Sequence, residues 1–433
     1  MTSGPRVHTT SGAVVGTDLG AVHAFRGIPY AADPVGALRF GPPQPHPGWR
    51  GRLTAQRSGP AVPQSASRLE AVMGSRDGTP MSEAGSLTLN VWAPAAAVSD
   101  SRKRPILVWL HGGGFTSGSA GWDWYDGARL AEAGDIVVVT ANYRLHALGF
   151  LWFPEIGADN LGLQDQAAAL RWVHGNIAAF GGDRERLTIG GQSAGAYSAL
   201  ALSCDPATQH LGRRIMLQST PFGIRPADPS VARRTTTTLL KLLGLPPDER
   251  AAPMLRSVPV DELLSAYGEL TAIGPSGQVA PPMYPVRDGA GMHFAWHAAA
   301  ARALRKDVLV GRTAHESTAF LAGGGTPLPD GAPDGPRWRA ATAAVFGDGL
   351  DAFTGALTAA GGSPHEYCFD RINPERPDLG ATHCADLPFV FDNLDAYAGA
   401  PMLGRVRGAD RALAVSWSTA VGDFVRTGHV QFR

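Results

Sequence analysis

Short runs of uninterrupted apolar residues recur along this 433-residue chain. Ile106-Leu107-Val108-Trp109-Leu110, Ile136-Val137-Val138-Val139, Leu187-Thr188-Ile189, Ile215-Met216-Leu217 and Val308-Leu309-Val310 are each too short for a helix and lack a polar face. Such runs predict central strands covered on both sides. Between Gly162 and Phe180 the period changes. Leu163, Ala167, Leu170, Val173 and Ile177 fall on one helical face. Leu87 to Trp92 alternates as a half-buried strand, and Val7, Val14, Val15 and Val22 suggest small strands in a hairpin. Phe25 to Trp49 is dense in proline and predicts an ordered surface loop. Residues 59–86 read as an irregular loop near a site entrance.

From Asp228 to Arg305 the pattern turns helical, broken at Pro246-Pro247 and Pro281-Pro282. This stretch is expected to be a mainly helical insertion covering the site. Residues 323–335 read as a flexible loop, 337–360 as two helices, Glu366 to Phe369 as a strand and Arg411 to Val425 as a closing amphipathic helix. Strands alternating with helices predict an α/β sheet with helices on both faces, and sites at the carboxyl ends of its strands.

Composition narrows the function classes. With 44% hydrophobic residues the chain can bury a large core. Formal net charge is +0, so no basic face is expected to bind nucleic acid or an anionic membrane. No apolar run approaches a membrane span, and the N-terminus lacks the apolar core of a signal peptide. A soluble, cytoplasmic protein is the expectation. Cys204, Cys368 and Cys384 give neither a disulfide framework nor zinc spacing, and at least two read as small buried packing residues. No metal or cofactor is implied.

The candidate chemistry starts at Gly191-Gln192-Ser193-Ala194-Gly195, between the strand Leu187–Ile189 and an alanine-rich helical segment. A serine on a sharp turn projects its hydroxyl clear of the backbone, and glycines on either side avoid collision with the neighbouring strand and helix. In a chain with 54 glycines, G-x-S-x-G arises by chance roughly 0.4 times, so the motif draws its weight from the strand before it and the helix after it. Ester hydrolysis by serine also needs a base, a carboxylate that orients it, and donors for the oxyanion.

The longer runs carry a resemblance. Phe25-Arg26-Gly27-Ile28-Pro29-Tyr30-Ala31, Leu87-Thr88-Leu89-Asn90-Val91, Pro105 to Ser119, Asn142-Tyr143-Arg144-Leu145 and Asn160 to Gly195 are similar to signatures of the type B carboxylesterases. That family includes bacterial para-nitrobenzyl esterases and the cholinesterases. The resemblance implies a single α/β-hydrolase domain over residues 1–433, with a central, mostly parallel twisted sheet, and a small-molecule ester as substrate. It implies Ser193 as nucleophile, Glu316 as the acid and His383 as the base, in the chain order of that fold. It also implies backbone N–H donors from Gly113, Gly114 and Ala194. His315 reads as a loop residue beside Glu316, and His111 as a residue that shapes the glycine loop.

Departures from the family pattern are informative. Gln192 stands where many relatives carry glutamate, which removes a negative charge near the imidazole. Ser317 replaces the usual glycine after the acid. Gly85 and Val62 or Pro63 occupy the places of a cysteine pair, which fits a reducing compartment. Residues 64–86 contain no aromatic ring, so choline esters are poor candidates. Pocket walls are expected from 64–80 and 228–305, and the default substrates are small to medium apolar or aromatic esters. An acyltransferase or lactone-forming enzyme would use the same triad with another acceptor. A non-catalytic binding protein would have lost the triad, and all three positions are filled here.

Overall fold

The computed structural model describes residues 4–76, 78–274, 279–294, 296–321, 328 and 332–432. Twelve strands run in chain order: β1 (Arg6–Thr9), β2 (Gly12–Val15), β3 (Thr17–Asp18), β4 (Val22–Pro29), β5 (Arg52–Thr54), β6 (Thr88–Pro94), β7 (Arg104–Leu110), β8 (Val137–Ala141), β9 (Gly182–Gln192), β10 (Arg214–Gln218), β11 (Asp307–Thr313) and β12 (His365–Phe369). β1, β2 and β5 form a small sheet on the expected hairpin. The other nine form one sheet in the order β12-β11-β10-β9-β7-β8-β6-β4-β3. β7 to β12 are mutually parallel, and β6, β4 and β3 complete one side antiparallel.

The apolar runs work as alternating faces of this sheet. Ile106, Val108, Leu110, Val137, Val139, Ile215 and Leu217 join a core with Leu170, Val173, Ala196 and Leu200 from helices Leu161–Asn176 and Ala194–Cys204. Leu107, Trp109, Val138 and Met216 point the other way, into a core with Leu130, Val421 and Phe424 from helices Ala128–Gly134 and Gly408–Thr427. Period-two side chains between two helical layers explain why neither face could be polar.

Two sequence expectations need correction. Phe25 to Pro29 is not a surface loop: Phe25 and Ile28 are fully buried in β4. A register break between them lets Arg26 N donate to Ala55 O, and Pro29, which has no N–H, ends the strand. β6 is buried throughout rather than half-buried. Its polar Asn90 is satisfied inside the protein, donating to Ala120 O at 2.9 Å and Thr140 Oγ1 at 3.0 Å and accepting from Gly27 N at 2.9 Å. A polar residue in an alternating pattern thus marks an internal partner, not solvent.

Residues 228–305 hold helices Pro229–Leu242, Ala251–Ser257, Val260–Ile273 and Ala298–Ala303, with the proline pairs in the connections. Helices Pro336–Thr342 and Asp348–Ala359 are joined by a π-helical turn at Ala343–Gly347. Most of the expected loop at 323–335 lies outside the described residues. Cys384 is buried in the second core, Cys204 is half-buried and packs against the first, and Cys368 is exposed, so two of the three serve as packing residues. Among the described residues no helix is long and apolar enough to cross a membrane.

Candidate active site

β9 ends at Gln192, and the next helix begins at Ala194. Ser193 lies between them at φ 54°, ψ −120°, a region that L residues avoid. The turn is held from both sides: Ser193 N donates to Gln218 O at 2.8 Å, and Ser193 O accepts from Tyr197 N at 2.9 Å. A Cβ on Gly195 would sit 1.9 Å from Leu110 O, and one on Gly191 would sit 2.4 Å from Gly195 C. The two glycines therefore let the end of β7, the turn and the helix come within van der Waals contact.

β7 runs directly into the glycine loop. Gly113 has φ +109°, and a Cβ there would lie 2.0 Å from Ser117 O, so this turn requires glycine. Gln64 clamps the far side of the loop. Its Nε2 donates to Gly118 O at 2.9 Å, and its Oε1 accepts from Gly118 N at 2.6 Å. His111 stacks on Tyr143 with ring centroids 4.4 Å apart, and Tyr143 Oη donates to His111 O at 2.7 Å. Burial lowers the His111 pKa to about 4, so the ring is neutral and shapes the loop as expected. Among the described residues, no protein group accepts from the N–H of Gly113, Gly114 or Ala194.

Glu316 and His383 meet although they lie 67 positions apart in the chain. Both are fully buried. His383 Nδ1 donates to Glu316 Oε2, and Thr313 N donates to Glu316 Oε1 at 2.8 Å. The two loops are tied beside this pair. His315 N donates to Ala381 O at 2.9 Å, His315 Nδ1 accepts from Ala381 N at 3.0 Å, and Thr318 Oγ1 bonds Thr382 Oγ1 at 2.7 Å. His315 is thus a loop residue with a fastening role.

The remaining nitrogen, His383 Nε2, faces Gln192. Gln192 Nε2 stands 3.1 Å from it and 3.3 Å from Cys384 Sγ. Among the described hydrogen bonds none joins Ser193 to His383; the Gln192 amide takes that nitrogen instead. The sequence reading noticed the missing charge at position 192 but not this contact. Phe320 and Phe346 were also missed. They flank the imidazole with centroids 5.1 and 5.0 Å away, and they reach it from helical segments whose facing residues no local pattern reveals. Burial opposes the charged form of His383, but its contacts with Cys384 and Glu316 outweigh that and move its pKa upward. The Cys384 thiol is itself raised by burial, so at neutral pH it is uncharged and the Glu316 carboxylate carries the effect.

Ser193, Gly113, Gly114 and Ala194 line one narrow cavity. Leu69, Phe115, Tyr197, Ile224, Tyr284 and Phe320 supply most of its apolar wall. Tyr197 is packed between Trp296 and Phe115, at centroid distances of 4.2 and 5.8 Å. Ser67 to Leu69 and Val279, Pro281 and Tyr284 line the same space, so both expected wall segments reach it.

Residues 3–327 match the carboxylesterase family. A Rhodococcus erythropolis protein named probable N-octanoylanthranilate hydrolase is 37% identical, over 98% of this chain and 93% of its own. The para-nitrobenzyl esterase of Bacillus subtilis is 33% identical, over 98% and 90%. The crystal structure of a Geobacillus stearothermophilus carboxylesterase superposes with a TM-score of 0.82 at 36% identity, over 98% of this chain and 91% of that one. With a doubly covered, mostly parallel sheet and a serine turn at its carboxyl edge, the chain belongs to the carboxylesterase family and is a carboxylic ester hydrolase of the α/β-hydrolase fold.

Proposed function

We propose that Ser193 is the nucleophile, His383 the general base, Glu316 its orienting carboxylate, and Gly113, Gly114 and Ala194 the oxyanion donors. The observation that carries this reading is the shared cavity: the serine and the three residues that would supply the N–H donors all line it. The His383–Glu316 hydrogen bond supports it by fixing the tautomer, since a proton on Nδ1 leaves Nε2 as the acceptor. His383 swings from the Gln192 amide to the serine, takes the Oγ proton as Oγ bonds the ester carbon, and returns it to the departing alkoxide. The carbonyl oxygen gathers negative charge against the backbone donors. Water then attacks the acyl-serine as His383 accepts its proton, the acyl carbon–Oγ bond breaks, His383 returns the proton to Ser193 Oγ, and the carboxylic acid leaves. The apolar wall favours small to medium apolar or aromatic esters.

Within this proposal the chain acts as one unit, with 228–305 as its cover. Three free cysteines support a reducing, cytoplasmic setting. Zero net charge supports a function without a nucleic-acid or membrane partner. The test is turnover of p-nitrophenyl acetate and butyrate by wild type and by Ser193→Ala. Loss of the serine should reduce kcat by about 10⁴ or more. Equal turnover by the variant would remove Ser193 from the reaction.

A further inference from the structure

We propose that the Tyr197 hydroxyl selects for esters that carry a second hydrogen-bond acceptor, a carbonyl or ether oxygen apart from the ester's own, within a few bonds of the scissile carbonyl. The proposal rests on the reading of Ser193 as the nucleophile. Tyr197 lines the cavity one helical turn beyond Ser193, about 6 Å along the helix axis. Ser193 O accepts from Tyr197 N at 2.9 Å, so that turn is closed and the two residues keep a fixed relation. The Tyr197 ring is fully buried between Trp296 and Phe115. Yet among the described residues no group accepts a hydrogen bond from its Oη. The other hydroxyls on the wall differ. Ser117 Oγ donates to Gly113 O at 3.4 Å, and Ser67 and Tyr284 are only half-buried.

The chemistry follows from the group. A phenol offers one O–H donor. Buried polar groups are almost always paired, because leaving a hydrogen bond unmade in a dry site costs more than a typical one returns. Phenylalanine would fill the same slot between Trp296 and Phe115 without that penalty, so packing alone does not call for tyrosine. Burial holds the hydroxyl well above the usual tyrosine range, and Tyr284 on the same cavity raises it further, so it stays protonated and can donate. An acceptor on the substrate would satisfy it, in narrow and mostly apolar surroundings where a hydrogen bond is stronger than in water. An ester without that acceptor leaves the hydroxyl unpaired, and a site built to hydrogen-bond its substrate rejects such analogues.

The experiment compares wild type with Tyr197→Phe, which removes one oxygen and keeps the ring, on matched pairs of esters. Phenyl 4-oxopentanoate against phenyl 4-methylpentanoate puts the acceptor in the acyl part. 3-Acetylphenyl acetate against 3-isopropylphenyl acetate puts it in the alcohol part. In wild type the acceptor-bearing member of at least one pair should have a KM about tenfold lower than its partner. Tyr197→Phe should bring that KM ratio to about one and leave the kcat ratio of the pair little changed. Comparing ratios between the two proteins cancels the intrinsic reactivity of each ester, and an unchanged Tm shows that the ring still packs. A fall by the same factor on both members of each pair would assign Tyr197 to packing or to the reaction common to all esters, and overturns the proposal. So does a preference that survives in the variant, or a wild type with no preference in either pair. No turnover of any of the four by wild type, or turnover that persists in Ser193→Ala, removes the Ser193 reading and the proposal together, whereas serine-dependent turnover without preference removes the proposal alone.

Discussion

Gln192→Glu tests the least expected contact in the site. The amide nitrogen of Gln192 is 3.1 Å from His383 Nε2. A carboxylate in its place would put a full negative charge against the imidazole from the side opposite Glu316. At that distance, with an effective dielectric near 20, the attraction for an imidazolium is about 5 kcal/mol. Burying the new carboxylate takes back part of this, leaving about 1.5–3 kcal/mol, or one to two pKa units. The sign is fixed: a second carboxylate favours the protonated ring, so His383 becomes a free base only at higher pH. The assay is kcat/KM for p-nitrophenyl butyrate against pH. The acid limb should move up by about one unit or more, and the rate below that limb should fall about tenfold per unit. Gln192→Met, which adds no charge, should leave the limb in place. If Gln192→Glu leaves it unmoved or shifts it to lower pH, either residue 192 does not face the base in solution or His383 is not the base.

Other expectations follow from neighbouring geometry. Gly195→Ala places a methyl 1.9 Å from Leu110 O, a backbone atom of a central strand, and should cost about 3 kcal/mol or more, read as a large fall in Tm or loss of soluble protein. Asp386 is fully buried, and that burial pushes its carboxyl up to about 6. Because the folded pKa is above the unfolded one, the protonated acid is carried without penalty at low pH, and folding loses stability as pH rises from about 4 through 6. Asp386→Asn should therefore raise stability at pH 8 by up to about 3 kcal/mol and make no difference below pH 4. Denaturant melts at both pH values check this, and an equal effect at both would refute it.

The sequence disclosed the parts of this molecule that obey a local rule. β7, β8, β10 and β11 were legible because strands covered on both faces leave uninterrupted apolar runs. Ser193 was legible because the turn that presents it demands glycine on both sides. β4 was hidden by Gly27 and Pro29, which act as breakers in isolation but here sit at a register break and a strand end. The pairing of Glu316 with His383 has no local signal. Two loops create it, fastened through His315, Ala381 and the two threonines, and only likeness to a family suggested it beforehand. The Gln192 contact depends on which way one amide is turned, and the placing of Phe346 depends on a π turn; neither leaves a periodic mark.

The clamp of Gln64 on Gly118 has a consequence for how this enzyme can change. Gln64 lies four positions before Arg68, and its side chain grips both the N–H and the C=O of one residue, Gly118, in the glycine loop. The segment that lines one wall of the cavity and the glycine loop, which carries the proposed oxyanion donors, are thereby fastened together. Selectivity and turnover are not independent traits here. A laboratory lineage selected for new esters through insertions or replacements at 64–69 would disturb the donors as well, and would need compensating changes near Gly118 before its rates recovered. The Val279–Tyr284 side is tied to the same segment, since Arg68 Nη2 donates to Val279 O at 2.9 Å, so replacements there are also felt at 64–69.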